Sequence, residues 1–202
     1  MSKFDIVGLA GSFSVPSRTR GLVEEAVART VASYGGRSKV IDLSQLGPDF
    51  AAARHLSDLT GPGRDVVDHI VEARALIVAT PVYKGSYPGL FKHLFDLIEP
   101  TALVGKPVLL AATGGGDKHA LIIEHHLRPL FAFFEAHTLA TGVYASDRDF
   151  MDGQLASASV TDRLDRAVSQ LEPYLKPDLR ELPFTAKIER WRGNANAVAA
   201  VS

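Results

Sequence analysis

A short hydroxyl-rich stretch near the start of the chain has the residue types that bind a phosphate group. It reads LAGSFSVPSRTRGLVEEA from Leu9, and it separates a strand-like run from a helical pattern. The helix is predicted to begin near Thr19, where unpaired N–H groups and the helix dipole favour an anion. Ser12, Ser17 and Thr19 can add hydroxyl donors, and Arg18 adds a full positive charge. An ordinary N-cap at Ser17 or Thr19 is the alternative interpretation of the same residues.

The kind of phosphate ligand is narrowed by what this stretch lacks. It has neither the Gly-Lys-Ser/Thr ending of a nucleoside triphosphate loop nor the G-x-G-x-x-G pattern of a dinucleotide site. A single terminal phosphomonoester therefore fits better than a triphosphate or a pyrophosphate.

Five short apolar runs alternate with helical patterns along the chain. The runs, which predict strands, are Asp5–Ala10, Ser38–Leu43, Ala75–Thr80, Pro107–Thr113 and His137–Ala145. Helices are predicted over 19–34, 65–73 and 89–99, as a long helix that follows the glycines at 114–116, and over 157–174. Continuous apolar strands separated by helices favour one α/β domain, in which helices cover both faces of a parallel sheet. No half-exposed, alternating strand is predicted.

Three loops rich in glycine, hydroxyl and aromatic residues follow predicted strands. They are 11–19, 81–88 and 113–118. Ligands of such sheets bind outside the carboxyl ends of the strands, where the strand order reverses. The three loops are therefore expected to meet at one edge and to form the binding site.

Composition and charge exclude several classes of function. The 202 residues include no cysteine and carry a net charge of −1, which argues against disulfides, thiolate metal sites and nucleic-acid binding. No apolar run is long enough to span a membrane and no signal peptide is recognised, so a cytoplasmic location is expected. His125 and His126 are adjacent on a predicted helix and point about 100° apart, so no metal site is predicted. No serine lies in a G-x-S-x-G nucleophile elbow, so the sequence does not predict a hydrolase.

Three longer motifs together resemble a known family. AGSFSVPSRTRGL, ATPVYKGSYPGLFKHLFDLI and ATGGGDKHALIIEHHLRPLF are similar to the NAD(P)H-dependent FMN reductases of the flavodoxin-like fold. The branch that they resemble supplies reduced flavin to alkanesulfonate and methanesulfonate monooxygenases. The resemblance implies a flavodoxin-like, doubly wound, five-stranded parallel sheet with helices on both faces.

The resemblance also implies an FMN site built by the three loops. Its phosphate loop would be Ser12, Ser17, Arg18 and Thr19; the loop along the ribityl chain and ring would be Pro81, Val82, Tyr83, Lys84, Gly85 and Ser86; the pyrimidine side would be Thr113, Gly114, Gly115 and Gly116. Many members of the family carry an arginine where this chain has Ser14, so the phosphate charge depends more on Arg18.

The two later loops have a physical rationale beside the resemblance. Gly85 permits the close backbone approach that a planar ring needs, and Tyr83 and Tyr87 can shield or stack on it. The glycines at 114–116 offer N–H donors and a positive helix end to reduced flavin. For the first of these loops the alternative is that Tyr83 and Tyr87 are amphipathic surface residues and Lys84 is a solvated charge. For the second, the alternative is a flexible loop in which the glycines are needed for tight turns.

Pro129 lies inside an apolar helical pattern that continues to Phe134. Its missing N–H leaves the carbonyl of His125 without a partner, which predicts a kink or a one-residue π-bulge. In the branch that the chain resembles, an inserted residue in this helix is associated with flavin as an exchanging substrate, and His126 matches that insertion by position. The alternative is a proline-kinked core helix with exposed histidines.

The resulting prediction is an NAD(P)H-dependent FMN reductase in which a hydride passes from the nicotinamide to FMN. No side-chain acid or base is required, so no catalytic residue is named. Expected partners are FMN, NADPH or NADH, a flavin-dependent monooxygenase, and further copies of the chain in a homodimer or homotetramer. A flavodoxin-type electron carrier, and a quinone or azo reductase with tightly bound FMN, stay open as alternatives. The reductase domain is predicted over residues 1–178, with a tail over 179–202 that packs at an interface or is partly disordered.

Overall fold

A parallel sheet forms the centre of the protein in the computed structural model, which describes residues 3–176. Its six strands are β1 Ile6–Ala10, β2 Ser38–Asp42, β3 Ala75–Pro81, β4 Pro107–Gly114, β5 His137–Thr138 and β6 Val143–Ser146. The order is β2-β1-β3-β4-β5, and β6 also pairs with β4, so β5 and β6 share the last position. Since this is the flavodoxin-like order, the predicted fold class is confirmed.

The central strands are buried on both faces, as their continuous apolar runs predict. Every residue of β1 and β3 is buried, and side chains alternate between two apolar cores. The helices that cover the faces are α1 Arg18–Tyr34, α2 Gly61–Glu72, α3 Gly89–Asp96, a π-helix Ile123–Leu127, α4 Arg128–Phe133, α5 Ala158–Ser169 and α6 Glu172–Leu175. One core lies among β1, α1 and α5, and the other lies among β1, α2, α3 and α4. None of the helices in the described range combines the length and apolar character needed to cross a bilayer.

The predicted fifth strand, His137–Ala145, is wrong in its middle. The sheet pairing is interrupted because the Thr141 amide donates to the side chain of Gln170 (3.1 Å) instead of to β4. Gly142 then brings the backbone against Ile123, since a Cβ at Gly142 would lie 2.7 Å from its Cγ2 atom. The strand therefore divides into β5 and β6.

Two helical predictions also need correction. No long helix follows the glycines directly: a 3-10 turn over Asp117–His119 comes first, and the π-helix begins only at Ile123. The predicted helix 157–174 divides into α5 and α6, because Pro173 lacks the N–H that would continue the helix. An antiparallel hairpin, β7 Phe150–Met151 with β8 Gln154–Leu155, adds the half-exposed strands that were not predicted. The predicted tail over 179–202 lies outside the described residues.

The register of the sheet places several loops at one edge. Pro81 at the end of β3 pairs with Thr113, and Gly114 at the end of β4 pairs with Ser146 at the end of β6. The loop that follows β1 begins beside β3, where the Gly11 amide donates to the carbonyl of Ala79 (2.7 Å). The strand order reverses between β1 and β3, which makes this edge the expected ligand site.

Candidate active site

The loops at this edge enclose a cleft of about 250 Å³. Its walls are the N-terminal end of α1, the end of β3 with the residues after it, and the end of β4. The lining residues are Ser12, Ser14, Pro16, Ser17, Arg18, Thr19, Pro81, Val82, Tyr83, Thr113, Gly114, Gly115 and Asp147. Most of the predicted site residues are thus brought together, whereas Lys84, Gly85, Ser86 and Gly116 do not line the cleft.

The N-terminal end of α1 is open towards an anion. Ser17 is the N-cap, with extended backbone angles (φ −131°, ψ 116°), and its hydroxyl accepts a hydrogen bond from the Arg20 amide (3.1 Å). The amides of Arg18 and Thr19 have no acceptor within the helix, because the residues four positions earlier lie outside it. The first turn contains no acidic residue. Ser17 therefore fills the capping role that was the alternative interpretation, while the helix end keeps donors and a positive dipole for a ligand.

Three buried hydroxyl groups fix the shape of the cleft. The Thr19 and Thr113 hydroxyl oxygens are 2.6 Å apart, which ties the first turn of α1 to the end of β4. Ser12 is 3% exposed, and its hydroxyl accepts a hydrogen bond from the Ser14 amide (3.1 Å). The predicted phosphate loop and the predicted pyrimidine loop are consequently parts of one hydrogen-bonded unit.

The charged groups of the cleft form a pair. Arg18 and Asp147 are the only charged residues among those that line it, and their side chains make a salt bridge. The side chains are 45% and 56% exposed, so both stay accessible to solvent and ligands. Asp147 was missed by the sequence analysis, although it directly follows β6 and so lies at the edge where the other loops were expected.

The loop after β3 is a tight two-residue turn. Tyr83 and Ser86 exchange backbone hydrogen bonds (2.8 and 3.1 Å), and Lys84 and Gly85 between them have φ of 52° and 86°. Glycine is favoured at such an angle, which accounts for Gly85. The turn is anchored to β4 because the Val82 amide donates to the Thr113 carbonyl (2.8 Å). Tyr83 is 49% exposed and presents its ring at the mouth of the cleft.

The glycine loop after β4 is held by one tyrosine. The Tyr144 hydroxyl donates to the Gly116 carbonyl (2.6 Å), and Tyr144 packs against Gly114 so closely that a Cβ there would clash with its hydroxyl. Burial, together with the charges of Asp117 and Asp149, raises the pKa of Tyr144, so the phenol remains protonated and a donor. Gly115 and Gly116 face open space. Since no long helix starts here, the expected positive helix end is absent at this point, and the loop's own amides are the available donors.

The π-bulge predicted around Pro129 is confirmed. The Arg128 amide donates to the Ile123 carbonyl, five residues earlier, and Pro129 falls in the first turn of α4, where a missing N–H costs little. Within the π-helix, His126 Nδ1 lies 3.1 Å from the Ser86 hydroxyl, so the helix contacts the turn after β3. A larger cavity, about 680 Å³, lies beyond this contact and is lined in part by Tyr87, His126 and Phe133.

Known proteins are similar to this chain in fold and in sequence. The family described as NADPH-dependent FMN reductase matches residues 4–150. The chain belongs to this family. It is 44% identical to an FMN reductase (NADPH) of Pseudomonas aeruginosa, over 85% of this chain and 92% of that protein. It is also 44% identical to the NADH-dependent FMN reductase SfnF of Pseudomonas fluorescens, over 87% of this chain and 96% of that protein. An oxidoreductase structure from Corynebacterium diphtheriae superposes with a TM-score of 0.74 at 32% identity, covering 86% of this chain and 98% of that one.

Membership of the FMN reductase family confirms the predicted enzyme class and its substrates. The protein is an oxidoreductase that uses NAD(P)H and FMN. The geometry of the cleft suits a mononucleotide, because one helix end and one arginine can take a single phosphate and the open glycine loop can take an uncharged ring edge. Among residues 3–176, no group of three or more histidine and carboxylate side chains is placed to share a metal ion.

Proposed function

We propose that this FMN reductase binds FMN in the cleft, reduces it with NAD(P)H and releases it to a flavin-dependent monooxygenase of the sulfonate type. The observation that carries the proposal is the 2.6 Å contact between the Thr19 and Thr113 hydroxyls. It fixes the distance between an anion-binding helix end and a loop of exposed amides. A ligand with a phosphate at one end and a hydrogen-bonding ring at the other matches this arrangement.

The phosphate would lie at the N-terminal end of α1. The amides of Arg18 and Thr19 point there, and the Arg18 guanidinium can add charge-assisted hydrogen bonds. Ser12 is already fixed by the Ser14 amide, so its hydroxyl is held in position before the ligand arrives. The predicted roles of Ser12, Arg18 and Thr19 are consistent with this placement, whereas the Ser17 hydroxyl serves mainly as the helix cap.

The ring would lie between the turn after β3 and the glycine loop after β4. Gly115 lines the cleft and presents backbone without a side chain in the way, so its amide can reach the edge of a planar ligand, and Gly116 follows it just outside the lining. Tyr83 is half exposed at the mouth and can shield one face of the ring. Lys84, Gly85 and Ser86 would support the ring indirectly, because they shape the turn rather than line the cleft.

The protein would contribute to catalysis by positioning FMN and NAD(P)H relative to each other. FMN, when bound, accepts a hydride from the nicotinamide. The protein's part is to hold the ring edge with the backbone of the glycine loop, where Gly114 and Gly115 line the cleft, and to leave the opposite side open for NAD(P)H, which requires no acid or base from a side chain. The open mouth between Tyr83 and Gly115 provides that access.

Release of the product is the step that would connect this enzyme to a monooxygenase. The lining of the cleft contains one positive and one negative residue, so Asp147 offsets part of the attraction that Arg18 and the helix end offer a phosphate. The protein would act in the cytoplasm as a homodimer or homotetramer. Leu121 and Phe133 are apolar, 63% and 67% exposed, and flank the π-helix, which favours assembly through this region.

Steady-state kinetics distinguish this function from a flavodoxin-type carrier. With free FMN in large excess, oxidation of NADPH or NADH should continue far beyond one equivalent per protein, because each reduced FMN leaves and is replaced. A coupled assay with a sulfonate monooxygenase should form product in the same reaction. A single turnover followed by arrest would instead indicate a carrier, and turnover that needs a quinone or azo dye would indicate a reductase with resident FMN.

Deletion of His126 should make the protein retain bound FMN. Removal of one residue lets the segment 123–127 return to ordinary α-helical bonding and removes the His126 contact with Ser86. We expect FMN to stay bound through gel filtration, and turnover with free FMN to fall by about tenfold or more. The variant His126→Ala keeps the chain length and reports on the imidazole alone. Release of FMN from the deletion variant at the original rate would contradict the role of the π-helix.

A further inference from the structure

Asp147 is the one charged residue of the cleft that FMN reduction does not require. It begins the segment after β6, and its carboxylate pairs with Arg18, the same guanidinium that would receive the FMN phosphate. A carboxylate and a phosphate present similar oxygen acceptors to a guanidinium fork. The carboxylate of Asp147 and an FMN phosphate can therefore bind the same guanidinium.

We propose that Asp147 competes with the FMN phosphate for Arg18 and keeps the affinity for FMN low enough for exchange. The inference rests on the proposed placement of the phosphate at the N-terminal end of α1. When the phosphate arrives, Arg18 must exchange one anionic partner for another, and Asp147 is left as an unpaired negative charge close to the ligand. Both consequences weaken binding, and both accelerate release.

The backbone at Asp147 is fixed on both sides, so the competition depends on a side-chain movement. Arg148 pairs with Asp117 beyond the glycine loop (2.5 Å). Asp149 accepts hydrogen bonds from the amide and the hydroxyl of Ser146 (2.7 and 2.8 Å). These contacts hold the residues on both sides of Asp147, whose carboxylate lines the cleft. The carboxylate itself is free to turn, since it is 56% exposed.

The expected change in FMN affinity is modest because the side chains of Arg18 and Asp147 are both about half exposed. A salt bridge between half-exposed side chains contributes little, and a like charge a few ångströms from a phosphate acts through solvent of high dielectric constant. Asp147→Asn should therefore tighten FMN binding by about threefold to tenfold at low ionic strength. The gain should shrink in concentrated salt, where exposed charges are screened. The rate of FMN dissociation should fall by a similar factor.

The test compares FMN with riboflavin, which has the same ring and no phosphate. Both ligands are titrated into the unmodified protein and into Asp147→Asn, at low and at high salt, and FMN dissociation is timed by displacement. The matched control is Asp68→Asn on α2, because Asp68 also pairs with a half-exposed arginine, Arg64, and lies outside the cleft. We expect tighter FMN binding only in Asp147→Asn, with riboflavin unchanged in both variants.

The outcomes separate this inference from the proposed site. Unchanged or weaker FMN binding in Asp147→Asn, with normal binding to the unmodified protein, would overturn the competition and leave the site intact. Equal tightening of FMN and riboflavin would also overturn it, because the effect would then not involve the phosphate. If the unmodified protein bound riboflavin as tightly as FMN, the placement of the phosphate itself would be wrong.

Discussion

Replacement of Arg18 by glutamine is expected to weaken FMN binding by about 10- to 100-fold, with riboflavin affected by less than about twofold. Arg18 is the only cationic residue among those that line the cleft, so no neighbour in the lining can replace its charge. A hydrogen bond to a charged group contributes about 1.5–3 kcal/mol, which corresponds to this range of affinity. Fluorescence titration with both ligands measures the effect directly.

The control for this substitution is Arg64→Gln. Arg64 has a similar exposure (47%) and a similar acidic partner, but it lies on α2 away from the cleft. Its replacement should change neither affinity. Equal losses for FMN and riboflavin in Arg18→Gln would contradict a phosphate contact and would indicate a general disturbance of α1. In the Arg18→Gln background, Asp147→Asn should keep only the part of its gain that comes from removing a negative charge near the phosphate, because competition for a guanidinium requires that guanidinium.

The sheet and its ligand edge could be predicted because buried parallel strands have a distinctive sequence. β1, β3 and β4 are nearly continuous apolar runs, since both of their faces pack against helices. Once these strands are recognised, the loops that follow them must meet at one edge. The contact between Thr19 and Thr113, which are far apart in the sequence, is a consequence of that topology.

The parts that could not be predicted depend on contacts between distant residues. Thr141 leaves the sheet because Gln170 offers its amide a partner, and a local pattern contains no information about that side chain. Asp147 was missed for a related reason: the predicted strand ended at Ala145, and the loop after the true end at Ser146 was not counted among the ligand loops. The hairpin of β7 and β8 is only two residues per strand, too short for an alternating pattern to be recognised.

The Ser86–His126 contact joins the π-helix to the turn after β3. Pro129 predicted a kink or a π-bulge, and the structure has the π-helix, but its neighbour could not be predicted. In the structure the irregular turn points His126 at the Ser86 hydroxyl, and Tyr87 lies edge-on to the same imidazole with ring centres 6.1 Å apart. The helix proposed for assembly and the turn proposed to support the flavin ring are therefore in direct contact, so a change in one can reach the other.

Gly114→Ala is expected to destabilise the protein by about 1–3 kcal/mol and to weaken FMN binding markedly. The backbone at Gly114 is ordinary strand conformation, so alanine introduces no backbone strain. The cost is steric, because the new methyl group would lie 2.3 Å from the Tyr144 hydroxyl oxygen. Tyr144 would have to move, and its hydrogen bond to the Gly116 carbonyl would be lost with it. Urea unfolding measures the stability, and FMN titration reports the displacement of the glycine loop.

A double-mutant cycle tests whether this clash is the cause. Tyr144→Phe alone should cost about 1 kcal/mol through the lost hydrogen bond. In the double variant, Tyr144→Phe removes the clashing oxygen, and the ring carbon Cζ then lies 3.3 Å from the new methyl group. The double variant should therefore be more stable than the sum of the two separate losses predicts. Gly89→Ala is the control, because nothing lies within 4 Å of a Cβ at that position. Strict additivity of the two losses would show that the Tyr144 hydroxyl is not the atom that makes glycine necessary at position 114.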